Sequence, residues 1–328
     1  MLKIDTLFLQ PFADETLRTL KDQCNLEATP LPMFSKGKRV QTPFDIIGII
    51  GGTSTKLKGS ITLCFPRPVF LLLMSGMLNE KITEITRELE DGVAELLNII
   101  FGNAKSTLNQ SGHEIQMAIP TVLKGDQVRS AYPPGSIVFV VPFQTKAGEF
   151  YIEFLAKEID LKEDMQALGK KARKIDAMVF QPFVTETINT IRTVGGIECK
   201  PTKPYYKQDK PEKLFDIAAV VGLTGRTLNG SFSLCMEKSV FLKIMSHFIG
   251  ENFSDITSEL EDGAAELVNI IFGSAKAVLN ENGHQIRMAL PTIIRGSGIS
   301  SNYYAKTPII VLPFVSPDGE FWIEFTYE

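Results

Sequence analysis

The stretch ELEDGVAELLNIIFGNAKS, Glu88 to Ser106, returns as ELEDGAAELVNIIFGSAKA, Glu259 to Ala277, with four differences and an offset of 171 residues. The offset runs outward from this stretch without a gap. Gln10-Pro11-Phe12 matches Gln181-Pro182-Phe183, Phe44-Asp45 matches Phe215-Asp216, and Gly59-Ser60 matches Gly230-Ser231. Further on, Gly112-His113 matches Gly283-His284, Pro120-Thr121 matches Pro291-Thr292, and Pro142-Phe143 matches Pro313-Phe314. A constant offset of this kind is the mark of tandem duplication and fusion. It divides the chain into a first copy over 1–156, a linker over 157–173 and a second copy over 174–328. The linker region carries KEIDLKED and GKKARK, a charge density suited to a solvated connection.

Each copy reads as mixed helix and strand. In the first, residues 13–23 have helical spacing, and 44–51 with 57–65 are β-branched and alternating, with Gly51, Gly52 and Gly59 around the turn. A short apolar helix over 68–78 has proline near its start, and a long helix over 86–110 ends before Gly112. Ile115, Met117 and Ile119 alternate as a strand closed by Pro120. Residues 137–141 and 149–154 make a last strand pair turned through Gly148. Hairpins with inserted helices give the α+β class, an antiparallel sheet packed with helices.

Composition narrows the function. A net charge of −4 and a pI near 5.6 argue against a general nucleic-acid binder. The longest apolar run, from Val69, is far short of the roughly 20 residues of a membrane span. No stretch at the start reads as a secretion signal. Of Cys24, Cys64, Cys199 and Cys235, only Cys64 and Cys235 correspond across the repeat, and none has CxxC spacing. They read as buried thiols in a reducing compartment. A cytoplasmic protein is expected.

On a helical wheel, Leu89, Val93, Leu96, Leu97, Ile100, Ala104 and Leu108 fall on one side, which must pack on the sheet. Asp91, Glu95, Asn98, Gly102, Lys105 and Asn109 fall on the other, flanked by Ile99 and Phe101. The second copy keeps this stripe unchanged as Asp262, Glu266, Asn269, Gly273, Lys276 and Asn280, although the buried positions 93 and 97 differ between copies. Glycine inside a helix costs about 1 kcal/mol relative to alanine, so Gly102 and Gly273 suit the close approach of a partner. A plain solvated face, with acids early and lysine late along the helix dipole, is the competing reading. Glu95 and Asn98, at i and i+3, point the same way. Asparagine does not titrate usefully, but it can hold a water molecule by hydrogen bonds, and glutamate can pair with a partner's cation. The pair therefore suits positioning of a nucleophile. His113 and His284 suit a helix-end role, and the single His247 a surface or core role. Glu88, Glu90 and Asp91 lack a His or Cys to complete a metal site. Ser60 and Ser231 have no base near them in sequence.

The ordered set of Asp91, Glu95, Asn98 and Pro120, repeated as Asp262, Glu266, Asn269 and Pro291, resembles the signature of the CheC/CheX/FliY-type chemotaxis phosphatases, most of all the CheX branch. The context is similar too: IIGG…LKGSITLCF and VVGLTG…LNGSFSLCM precede the motif helix, and PTVLKG and PTIIRG follow it. The resemblance implies a phosphatase acting on the phospho-aspartate of a CheY-like response regulator. It implies that Asn98 and Asn269 hold the attacking water and that Glu95 and Glu266 pair with the regulator's lysine. Asp91 and Asp262 would support them, with Gly102, Lys105, Gly273 and Lys276 on the contact surface, and Pro120 and Pro291 as structural members. It implies Mg²⁺ on the regulator and no cofactor or metal in this chain. Where a typical CheX-like protein pairs two chains, this one would fold as an intramolecular pseudo-dimer. A non-catalytic regulator-binding or scaffold protein is the alternative.

Overall fold

The computed structural model describes residues 6–36, 43–55, 57–158, 179–225, 228–303 and 308–328. The expected linker therefore lies outside the described residues from 159 on. The first half runs α1 (Thr6–Cys24), β1 (Phe44–Thr53), β2 (Leu57–Phe65), α2 (Arg67–Leu78), α3 (Arg87–Gln110), β3 (Thr121–Ala131), β4 (Val138–Thr145) and β5 (Gly148–Glu158). The second repeats the order as α4 (Gln181–Gly195), β6 (Phe215–Gly225), β7 (Gly230–Met236), α5 (Lys238–Ile249), α6 (Ser258–Glu281), β8 (Thr292–Tyr303), β9 (Ile310–Ser316) and β10 (Gly319–Tyr327). Strand β5 extends to Glu158, two residues into the stretch assigned to the linker. No described helix is long and apolar enough to cross a membrane.

The ten long strands follow one another as β4-β5-β2-β1-β3-β8-β6-β7-β10-β9, with every pairing antiparallel. The ladder between β3 and β8 joins the halves, setting Thr121 opposite Tyr303, Val122 opposite Asn302 and Ala131 opposite Ile293. The sequence reading misses β3 and β8. Their bulged registers, and the polar run Lys124-Gly125-Asp126-Gln127, break the alternation that marks a half-buried strand. The strand expected over 115–119 reduces to the pairing of Gln116–Met117 with the end of β1. Pro120 and Pro291 stand just before the seam strands rather than at the close of a strand.

Helices cover one face of each half and bury separate cores, Leu9, Phe12, Val93, Leu97 and Phe150 in the first, Phe183, Val268, Phe272 and Phe321 in the second. A third core lies between the halves, where Phe44, Ile47 and Leu123 meet Phe215, Ile294 and Trp322. The aspartates of the repeated Phe-Asp pairs start the short helices. Asp45 Oδ2 accepts from the Arg67 N–H at 2.7 Å, and Asp216 Oδ2 from the Lys238 N–H at 2.8 Å, which satisfies an amide the helix itself leaves open. Gly48 in β1 lets α3 lie close. A Cβ there would stand 2.5 Å from Leu97 Cδ1 and 2.6 Å from Val93 Cγ1. The second half has Ala219 in that place and smaller partners, Ala264 and Val268. Two of the four differences in the repeated stretch are thus one exchange of volume between sheet and helix, as dense packing requires.

The seam is a set of reciprocal contacts. Thr53 Oγ1 and Thr224 Oγ1 lie 2.5 Å apart, Ser60 Oγ is 2.9 Å from Thr292 Oγ1, and Thr121 Oγ1 is 2.5 Å from Ser231 Oγ. Ser60 and Ser231 are therefore bonding groups of the seam. Gly51 and Gly222 belong to the strands, not the turns, and each would place a Cβ 2.8 Å from the other's Cα. Each half also holds a buried polar network. Glu153 accepts from Lys36 Nζ at 2.5 Å, Ser130 Oγ at 2.5 Å and Tyr132 OH at 2.6 Å. Glu324 accepts from Lys207 Nζ at 2.7 Å and Ser301 Oγ at 2.5 Å. Burial, with the neighbouring carboxylate, pushes the phenols of Tyr132 and Tyr303 well above their ordinary value.

Candidate functional site

Helix α3 begins after Thr86, whose extended backbone (φ −99°, ψ 165°) leads into a first turn carrying Glu88 and Glu90. Glu88 suits the positive end of the helix. Glu90 instead points inward and is buried. It accepts from Lys124 Nζ of β3 at 2.5 Å. In α6 the matching Glu261 pairs with Arg295 Nε of β8 at 2.8 Å. Burial raises the pKa of both glutamates and the basic partner opposes it. These pairs tie the start of each motif helix to its seam strand, and removing one partner would leave a buried charge unpaired.

The buried side of α3 contains the seven residues of the wheel, and also Ala94 and Phe101. Phe101 is not a flank of the exposed stripe. It packs edge-on against Phe12 of α1, with centroids 5.5 Å apart. The wheel assumed one covered side, whereas α3 is covered by both the sheet and α1. The outer stripe divides into two parts. Asn109 is structural: its side chain accepts from the Ile115 N–H at 2.6 Å and donates to the Ile115 carbonyl at 3.2 Å. Asn280 holds Ile286 in the same way, at 2.7 and 3.2 Å. Asp91 is exposed, and its Oδ1 accepts from Asn302 Nδ2 of the other half at 2.9 Å. Asp262, half-buried, lies beside Glu261 and raises its pKa.

Glu95 and Asn98 lie between these anchors, half-buried on the open side of α3. Neither has a hydrogen-bond or ion-pair partner among the described residues. Glu266 and Asn269 are exposed on α6 and equally without partners among the described residues. A Cβ added to Gly102 or to Gly273 would meet no atom within 4 Å. Nothing among the described residues therefore requires glycine there. Gly102, Lys105 and Met117 border an open groove of about 510 Å³. Lys105 and Lys276 are both half-buried on the same side.

The residues weighed as alternatives have structural places. His113 meets the Phe8 ring edge-on at 5.3 Å, and His284 is buried. All four cysteines are free and buried, and burial pushes Cys24 up to about 12 and Cys199 to about 11, far from a reactive thiolate. Among the described residues no three His, Cys, Asp or Glu side chains gather to hold a metal ion. The Lys–Glu–Ser–Tyr networks and the seam hydroxyls escape sequence reading because their partners lie tens to hundreds of residues apart.

The family model for the chemotaxis phosphatase CheX matches residues 46–144 and again 217–315, more than half of the chain and at the offset of the repeat. The chain belongs to the CheX family. Among solved structures, the chemotaxis protein CheX of Vibrio vulnificus is 31% identical over 46% of this chain and 100% of its own, with a TM-score of 0.45. The CheX of Desulfovibrio desulfuricans is 36% identical over 46% of this chain and 99% of its own, with a TM-score of 0.43. The Borrelia burgdorferi protein of a CheX–CheY–BeF3–Mg²⁺ complex is 20% identical over 48% of this chain and 100% of its own, with a TM-score of 0.39. Comparison with curated proteins returns no match. The family model matches twice, so the chain carries two CheX-family units.

Proposed function

We propose that this chain is a phospho-aspartyl phosphatase for a CheY-like receiver domain, with one site on each motif helix. The observation that carries the reading is an acid and an amide one helical turn apart on the outer side of the motif helix, without partners among the described residues, present twice. The family to which the chain belongs is described as a chemotaxis phosphatase, and CheY is the partner of the Borrelia protein. The helix would dock at the receiver's phosphorylation site, where the receiver's own Mg²⁺ resides. Glu95 or Glu266 would pair there with a receiver lysine. The amide of Asn98 or Asn269 would hold a water in line with the phosphorus. Water oxygen bonds to phosphorus as the bond from phosphorus to the aspartyl oxygen breaks. The receiver regains its carboxylate, and inorganic phosphate leaves with the water's oxygen.

Asp91 and Asp262 support the pair, and the bare backbone at Gly102 and Gly273 lets the receiver come close. The seam reads as the intramolecular counterpart of a two-chain pairing, within the boundaries 1–156 and 174–328. Receivers of this class are cytoplasmic, and we place the chain with them. Replacing both Asn98 and Asn269 by Ala should abolish the accelerated loss of phosphate from a CheY-type receiver while leaving binding of its beryllofluoride form largely intact. Unchanged phosphate release in that double variant overturns the water-holding role. A wild-type chain that binds the phosphorylated receiver and lengthens its phosphate lifetime is a binding protein instead.

A further inference from the structure

The repeat is symmetric in sequence at the motif, but the structure is not symmetric around it. Asn302 of β8, in the second half, donates from Nδ2 to Asp91 Oδ1 at 2.9 Å, in the first motif helix. Its own Oδ1 accepts from the Tyr303 N–H at 2.9 Å, which fixes the direction of the amide. The 171-residue offset puts Ala131 of β3 at the corresponding place beside the second site. The ladder confirms the correspondence, since Val122 faces Asn302 where Ile293 faces Ala131. Ala131 has no polar side chain to offer Asp262, and its methyl packs against the second half's core. The surroundings differ in the same sense. Glu95 and Asn98 are half-buried, whereas Glu266, Asn269 and Gly273 are exposed.

We propose that the first site is composite: Asn302, across the seam, is a positioning residue that sets the affinity of the first site for its receiver, while at the second site Ala131 stands in the equivalent place. Asp91 and Glu95 stand at i and i+4 on one face, so their carboxylates compete for the same cation. The Asn302 amide holds Asp91 in one orientation. That leaves Glu95 as the charge presented to the receiver. Asn302 makes no contact with reacting groups, so its influence falls on binding rather than on the chemical step.

This inference rests on the phosphatase reading, and the test separates the two. The full chain is assayed with a CheY-type receiver phosphorylated by acetyl phosphate, in two backgrounds: N269A, which keeps the first site, and N98A, which keeps the second. N302A, and the near-isosteric N302D, should raise KM about three- to tenfold in the N269A background with little change in kcat, the scale of one ordinary hydrogen bond lost at an exposed position. Both should be silent in the N98A background. Unchanged KM in the N269A background, or an equal rise in both, overturns the composite site. If neither parent background turns over, the phosphatase reading fails on its own. The affinity for beryllofluoride-loaded receiver then decides the inference, in E266A, which keeps the first binding surface, and in E95A, which keeps the second: a loss with N302A and N302D in E266A and none in E95A supports it, and no loss in E266A or an equal loss in both overturns it.

Discussion

Replacing Gly102 and Gly273 by alanine should make the chain more stable and less active. Each glycine lies inside a 24-residue helix, and the added methyl carbon meets no atom within 4 Å. Alanine is favoured over glycine in a helix interior by about 1 kcal/mol, so the double variant gains roughly 2 kcal/mol. If the halves unfold together through their shared sheet, that corresponds to a rise in Tm of roughly 3 °C. A receiver laid on the helix at van der Waals distance would meet two new methyl groups, one at each site. Overpacking of a close contact costs about 1–3 kcal/mol, so kcat/KM should fall roughly five- to a hundredfold. Urea denaturation and a phosphate-release assay on the same preparation read both signs. A variant that is stabilised yet fully active refutes the idea that the bare backbone is kept for a partner. A destabilised variant refutes the open space around both positions.

Gly48→Ala should destabilise the first half by about 1–3 kcal/mol, because its methyl would press on Leu97 and Val93. Adding Val93→Ala and Leu97→Val, which copies the second half, should restore most of the loss in urea denaturation; failure to recover would sink the volume-exchange account. Burial raises the pKa of Glu261 in the folded chain above its ordinary 4.5. Between those two values the folded state holds more protons than the unfolded one. The contribution of Glu261 is therefore complete below the ordinary value and is lost as pH rises through the raised one. Relative to Glu261→Gln, the wild-type chain should lose unfolding free energy as pH climbs from 4 towards neutrality. A difference that is flat or grows with pH contradicts the assignment.

The helices, the two hairpins of each half and the outward placement of the Glu–Asn pair were legible because each is written in local pattern. Val93, Leu97 and Ile100 repeat at helical spacing, and Gly48 to Thr53 and Lys58 to Cys64 sit between turn residues. What stayed hidden depends on pairings the chain makes with distant parts of itself. Strand β3 carries Lys124 and Arg129, whose surroundings come from α3 and from the other half, so its alternation is broken before the ladder is known. Phe101 looks peripheral on a wheel until α1 supplies a second wall. Asn109 looks equivalent to Asn98 until Ile115 occupies it. Sequence identity between copies marked the whole stripe, but only geometry separates residues that brace the helix from residues without a partner among the described residues.

The ladder between β3 and β8 also changes what substitution can do. Where two identical chains pair about a two-fold axis, every change appears on both sides of the contact at once. Here each side is encoded separately, so a single mutation can alter one flank and spare the other, as Asn302 and Ala131 already show. Pairing within one polypeptide also proceeds at an effective concentration fixed by the tether, and dilution does not undo it. Fusion in this chain thus turns an enforced mirror into two editable faces that remain together at any expression level.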